Sequence, residues 1–318
     1  MVDASGQTTY LSVVSLCDDF PFSAAAVEEY YQLYLPSDDR PHGYIIPEIV
    51  SKMPWTDQFS VEHEHPRRVT ILDVSNRSDF ARAINAAFQE LVDTCIDRNL
   101  FRVLSGRHSE HVTILSARYD RPVCVERFAA NLFGVTRSGA HLIAYTTPRS
   151  DEMKIWVPRR SPHLFTYPNL LDSTVAGGIK AGASPLQTVV EEADEEASLP
   201  EELVRRYARS RGVVSHMGLT GKGFAGEQGL VEPNYMYVYD LELPADIVPR
   251  PHDDEVEAFH CMSVEEVQTA LLAEAFKPDS AAVMVDFLIR HGFITPENEP
   301  DFVEISMRLH RTLPFRTG

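Results

Sequence analysis

Between Glu191 and Glu196, five of six consecutive side chains are carboxylates, and the run is framed by Val189, Val190 and Ala197. Helical spacing places Leu186, Val189, Val190, Ala193 and Ala197 on one face and gathers Glu192, Glu195 and Glu196 on its flank. Like charges three or four positions apart repel by roughly 0.2–0.5 kcal/mol per pair, and acids beyond the first turn gain little from the helix dipole. Three converging carboxylates are hard oxygen ligands for Mg²⁺ or Mn²⁺, and a shared cation turns that repulsion into attraction. The competing reading is a solvated acidic face.

The flanking sequence positions this helix. Ser184-Pro185-Leu186-Gln187 has capping-box spacing, with proline where a missing N–H matters least. AGGIKAG precedes it, and its glycines allow backbone to approach a ligand closely. Upstream, AHLIAYT and MKIWVPRR read as two strands joined by TPRSDE, and downstream NYMYVYDLEL alternates as a strand. Helices are expected over 263–273, 280–291 and 299–311. In the first part of the chain Phe80 to Asn99 carries an i, i+3/i+4 apolar stripe, with Ser75 or Ser78 near its cap, and short strands are expected at 101–104, 112–116 and 123–126.

With 29 basic against 47 acidic residues in 318, the chain has a formal charge of −18. Such a surface repels nucleic acid and anionic membranes, so an anionic substrate must be met by a cation or a local basic patch. The N-terminal residues lack a basic region followed by an apolar stretch, and no run approaches a membrane span. Cys17, Cys95, Cys124 and Cys261 stand singly, without zinc spacing. A cytoplasmic protein with free thiols, a monomer or homodimer without nucleic-acid or membrane partners, is the expectation.

Read together, the glycine loop and acidic helix resemble the signature of the Nudix hydrolases. Gly177 stands at its first position, Glu192, Glu195 and Glu196 at its metal-binding acids, and Ala193 and Leu199 at its aliphatic positions. Ala183 replaces its first Glu, Glu191 its Arg and Ser198 its late Gly. IWVPRRS, TYP, VPRPHDDEVEAF, FKPDSA and FLIRHGFITPENEPDF further resemble the Nudix subgroup related to the module beside fungal thiamine pyrophosphokinase. SLCDDFPF, GYIIP and FGVTRSGAHL resemble that subgroup's extra N-terminal domain.

The resemblance implies an α/β fold, with a smaller α/β domain over 1–136 before a Nudix α/β/α sandwich with a mixed sheet over 137–318. It implies a Mg²⁺- or Mn²⁺-dependent pyrophosphohydrolase that cleaves thiamine diphosphate, or its oxy and oxo analogues, to a monophosphate and phosphate. Glu192, Glu195, Glu196 and Gly177 form the implied metal site. The base is one of these acids or Glu255. Arg159, Arg160 and Lys180 are candidates for phosphate, and Trp156, Phe165 and Tyr167 for the organic half of this small-molecule diphosphate. Leu164, Asn169 and Asn234 depart from the subgroup where a substrate would be read. Isoprenoid or nucleoside diphosphates, or a Nudix fold kept as a binding module, are the alternatives. Glu62-His63-Glu64-His65, the pair His108 and His111, and the loop Gly218 to Gly226 are read as solvated or as a loop at the mouth of the site.

Overall fold

The computed structural model describes residues 8–23, 27–104, 110–147, 152–221 and 223–315. Its elements in chain order are α1 (Tyr10–Ser15), β1 (Tyr31–Tyr34), β2 (Gly43–Ile45), α2 (Pro47–Lys52), β3 (Phe59–Glu62), β4 (Arg68–Ile71) and α3 (Phe80–Asp97). A 3₁₀ turn at Arg102–Leu104 leads to β5 (His111–Thr113), β6 (Cys124–Glu126), α4 (Ala129–Phe133), β7 (Arg137–Thr146), β8 (Lys154–Arg160) and β9 (Val175–Gly178). Then come α5 (Pro185–Ala197), α6 (Glu201–Tyr207), β10 (Arg209–Leu219), β11 (Val231–Glu242), β12 (Val256–Ser263), α7 (Val264–Leu272), α8 (Pro278–Arg290) and α9 (Phe302–Leu309). The fold is mixed α/β, as expected.

Three details differ from the sequence reading. Residues 102–104 form the 3₁₀ turn instead of a strand, and the Arg102 and Val103 N–H groups donate to the Glu227 carboxylate instead of to a strand partner. The cap of α3 is Asp79, whose side chain accepts from Arg82 N, while Ser75 and Ser78 build the turn before it. Of the last three helices α7 and α9 are shorter than expected, by two and five residues, whereas α8 starts two residues earlier and ends one earlier, and Ser263 caps α7 through a full capping box. His108, Lys222 and part of the 147–152 turn lie outside the described residues.

A four-stranded sheet, ordered β2-β1-β4-β3, carries the first core together with α3 and α4. The larger sheet runs β10-β11-β7-β8-β12, with β9 also on β7. Strand β7 forks: Tyr145 and Thr146 pair with β8, whereas Gly139 to Leu142 pair with β9. Strand alternation then divides the faces. Ala140, Leu142 and Ala144 pack with Tyr239 and Leu241 beneath α5 and α6. Ile143, Val214, Met236 and Val238 face α1, α8 and α9.

The first helix thus belongs to the same core as the last ones. Asp18, just after α1, is buried and receives Arg311 Nη1 at 3.0 Å, and that guanidinium also donates to the Phe20 and Pro21 carbonyls. Among the described residues no helix is long and apolar enough to cross a membrane.

Candidate functional site

Helix α5 begins as its sequence dictates and ends against a loop. Ser184 Oγ accepts from Gln187 N at 3.1 Å, but the Gln187 side chain turns away to donate to Glu191 at 2.7 Å. The capping box is therefore only half made, and Glu191 is used within the helix. At the other end Ser198 takes a left-handed φ of 52°, the conformation a late glycine would adopt without strain. The carbonyls left free there receive donors from the loop that carries the late acids. Arg250 N bonds Ala197 O, Asp253 N bonds Glu195 O and His252 Nδ1 donates to Asp194 O, at 3.0, 3.0 and 2.8 Å. The Glu255 carbonyl accepts from Ser161 N at 2.8 Å, so this loop is held between α5 and the end of β8.

The glycine loop meets the helix just as closely. A Cβ on Gly177 would fall 2.3 Å from Glu192 Oε1 and 2.5 Å from its Cγ, so only glycine leaves room for that side chain. Glu196 is buried and accepts from Ala176 N at 3.2 Å, while Glu195 is exposed. Burial and the neighbouring charges of Glu195 and Glu255 raise the Glu192 pKa from the usual 4.5 to about 7, against the pull of Lys180 and Arg127. Burial and then Glu192 push Glu196 well above the carboxylate range. Three acids thus share one neighbourhood with Glu255 and lack an ion pair among the described residues.

Whether a divalent cation fits here follows from the donor set. Among the described residues no three His, Cys, Asp or Glu side chains are drawn together as a ready-made cage. Mg²⁺ does not require one, since it typically takes one or two carboxylates and completes its octahedron with water and substrate phosphate. Two acids pressed on a glycine backbone, with pKa values raised because no protein group compensates their charge, offer those oxygens to a cation, and the fit is good.

The remaining sequence candidates separate into three places. Lys180 is exposed at the end of β9 and acts electrostatically on Glu192. Arg160 is not free: its guanidinium bonds Asp172 at 2.9 Å and the Thr166 and Tyr167 carbonyls, locking the loop after β8. Arg159 donates to Asn169 O at 2.8 Å and lines a shallow groove beside His260 and Cys261 on the edge strand. Trp156 packs into the core beneath α5, with its indole nitrogen buried and unpartnered among the described residues. Phe165 is exposed and meets the edge of Phe128 at 6.4 Å.

Tyr167 lines a cavity of about 800 Å³ on the opposite face of the sheet, and burial raises its hydroxyl pKa. Phe128, Phe224, Phe276, Lys277 and Asp279 share that cavity. Arg127 joins the two places. It lines the cavity, would stand 3.8 Å from a Cβ on Gly178, and is near enough to Glu192 to stabilise its charge. Nothing in the sequence singles out Arg127, a lone basic residue between a short strand and a helix. The Gly218 to Gly226 loop does border this cavity, through Gly221, Gly223 and Phe224. His63 of the EHEH run bonds the Tyr31 hydroxyl, and His111 meets Gln89.

Comparison with known proteins bears on the larger sheet. The family described as NUDIX domain matches residues 140–287. Over 200 residues the chain is 43% identical to the uncharacterized protein YJR142W of Saccharomyces cerevisiae, covering 61% of this chain and 58% of that one. It is 36% identical over 194 residues to Nudix hydrolase 20, chloroplastic, of Arabidopsis thaliana, covering 60% of this chain and 49% of the other. Nudix hydrolase 24, chloroplastic, of the same plant is 37% identical over 186 residues, covering 58% and 48%. The chain thus spans about half the length of the curated relatives it matches. The matched residues contain the glycine approach, the acidic helix and the loop stapled to its end: residues 140–287 match the NUDIX domain family.

Proposed function

We propose that the protein is a Nudix hydrolase: a metal-dependent pyrophosphohydrolase that cleaves the diphosphate of a small molecule, thiamine diphosphate or its oxy or oxo analogues, to a monophosphate and phosphate. The observation that carries this reading is the closeness of Glu192 to Gly177, with the loop of Glu255 bonded to the end of the same helix. Glu192, Glu195 and Glu196 would hold Mg²⁺ or Mn²⁺, with the Gly177 backbone beside them. The cation would neutralise the diphosphate and polarise its phosphoryl oxygens.

The chain's own groups do the rest. Water adds to phosphorus, the phosphoric anhydride bond breaks, and the water's proton passes to a carboxylate. Glu192, Glu195 and Glu255 are the acids in reach of that role. Lys180 and Arg127 flank the acidic helix and compensate phosphate charge in a chain with few basic groups. Arg160 positions the 166–172 segment through Asp172, and Tyr167 borders the space for the organic half, with Phe165 against Phe128 beside it.

Purified protein with Mg²⁺ should release phosphate from thiamine or oxythiamine diphosphate in preference to ADP-ribose and farnesyl diphosphate. Glu195→Gln should abolish that release without changing the circular dichroism spectrum. Release that persists in the variant would remove the metal assignment; metal-dependent release from farnesyl diphosphate alone would move the substrate to the isoprenoid class.

A further inference from the structure

The cavity that adjoins the acidic helix through Arg127 is walled by a row of polar residues across three strands. His216 on β10 is registered with Asn234 on β11, and Asn234 with Arg137 on β7, so the three side chains leave the sheet on one face. With strands about 4.8 Å apart, the row is roughly 10 Å wide, the breadth of a flat ring system. Gly218, next but one on β10, lets the Cys17 backbone pack directly on the strand beside it: a Cβ there would stand 2.5 Å from Cys17 O.

Three polar atoms on this wall are buried without a partner among the described residues: His216 Nε2, Asn131 Oδ1 and Arg137 Nε. Their chemical character follows from what their other atoms do. His216 Nδ1 lies 2.8 Å from Cys17 O, and a carbonyl only accepts, so Nδ1 carries the proton and Nε2 presents a lone pair. Burial lowers the pKa of this ring and keeps it neutral. Asn131 Nδ2 donates to Glu232 Oε1 at 3.1 Å, leaving Oδ1 as an acceptor. Arg137 Nη2 is spent on the same carboxylate at 2.7 Å, leaving Nε as a donor. His216 and Asn131 are 3% and 2% exposed, and both line the cavity. Buried polar atoms are rarely left unmatched, and three on one wall mark a ligand whose edge matches them.

We propose that this cavity holds the organic half of the diphosphate and that His216, Asn131 and Arg137 determine its specificity. They select a flat nitrogen heterocycle with an N–H or amino donor for the two acceptors and a ring acceptor for the guanidinium. Phe128, Tyr167 and Phe224 supply aromatic surface around it. The inference rests on the hydrolase reading for the diphosphate end, but its recognition step does not depend on turnover. A hydrocarbon tail would leave all three polar atoms stranded, so the cavity opposes an isoprenoid substrate.

The test is calorimetric binding of thiamine monophosphate and of isopentenyl monophosphate to wild-type protein, His216→Asn and His216→Gln. Asn keeps a donor for Cys17 O and removes Nε2; Gln reaches the Nε2 position with an amide oxygen. Wild type should prefer thiamine monophosphate. His216→Asn should weaken that ligand by about tenfold and leave the isopentenyl compound unchanged, while His216→Gln recovers most of the loss. Equal binding of thiamine monophosphate to wild type and His216→Asn, or equal losses for both ligands, overturns the proposal. If wild type cleaves no diphosphate yet shows the selective loss, the hydrolase reading falls and the subsite stands. If thiamine diphosphate is cleaved with KM unmoved in His216→Asn, the hydrolase reading stands and the subsite falls.

Discussion

Two sets of buried acids in this protein behave oppositely. Asp18 has Arg311 and Arg308, Asp172 has Arg160, and Asp240 has Arg290, Arg211 and His291, each within ion-pair distance. Burial pushes the Asp240 pKa up, but its bonds from His291 and Arg290 outweigh this and leave it below the usual range. Glu192 and Glu196 meet similar burial without a guanidinium, and both rise. These aspartates meet arginines and the acids of α5 meet none among the described residues, which leaves the helix charges for a partner outside the chain. That contrast separates acids that hold the fold from acids that await a ligand.

Breaking a pair should have the largest effect. Arg311→Ala leaves Asp18, fully buried, with the Met217 N–H at 3.0 Å and Arg308 at 3.4 Å as its contacts, and frees the Phe20 and Pro21 carbonyls. Uncompensated buried charge typically destabilises by about 3–5 kcal/mol. Urea unfolding should show a loss of that order, with α1 detached from the C-terminal helices. A loss below about 1 kcal/mol would mean that the clamp between the two ends of the chain is cosmetic.

Removing an unpaired acid should do the reverse, sparing the fold and stopping the chemistry. Loss of a group that merely supports a metal ligand reduces activity or affinity 10–100-fold, so replacing a ligand should exceed roughly 100-fold in kcat. Glu192→Gln keeps the shape that Gly177 accommodates, and the metal-free protein should be no less stable than wild type. If this variant lost stability and kept its rate, Glu192 would belong with the structural acids.

Much of this division is legible in the sequence, and the reason is local. The span of α5, its Ser184 cap and the flank shared by Glu192, Glu195 and Glu196 depend on residues within a few positions, and the mixed α/β class follows from such elements. What stays hidden depends on register and long connections. His216, Asn131 and Arg137 come from three elements spread over about 85 residues, and nothing in their sequence neighbourhoods distinguishes them from ordinary polar positions. Arg160 reads as free to bind phosphate because its partner Asp172 lies across a loop. Gln187 reads as half of a capping box because no sequence rule weighs Glu191 against the cap.

The pH response sharpens the comparison further. Glu192 has a folded-state pKa near 7 against 4.5 unfolded, so its contribution to stability is intact below about 4.5 and is lost as pH rises through 7. The rise corresponds to at most about 3 kcal/mol for the metal-free protein. His141 and His216, kept neutral by burial, act in the opposite sense below their usual 6.5. The difference between wild type and Glu192→Gln therefore cancels the histidines and reads Glu192 together with its push on Glu196. Metal-free wild type should lose stability relative to the variant between pH 5 and pH 8, and saturating Mg²⁺ should close the gap. Parallel curves with and without Mg²⁺ would contradict a cation at this acid.

The smallest effect tests where signature residues matter for backbone alone. Ser198 holds a left-handed φ of 52° at the end of α5, and glycine adopts that conformation without a Cβ penalty. Against this, Ser198 Oγ donates to Arg250 O at 3.0 Å, at an exposed position where water can replace it. Ser198→Gly should therefore stabilise by roughly 0.5 kcal/mol, visible as a rise of a degree or so in Tm. Its kcat should not change, because the loop of Glu255 keeps its three other bonds to the helix end, from Arg250 N, His252 and Asp253 N. A tenfold change in kcat at unchanged stability would instead make Ser198 the hinge that sets how close Glu255 stands to the acidic helix, and the late acids would then belong to the chemistry through this one contact.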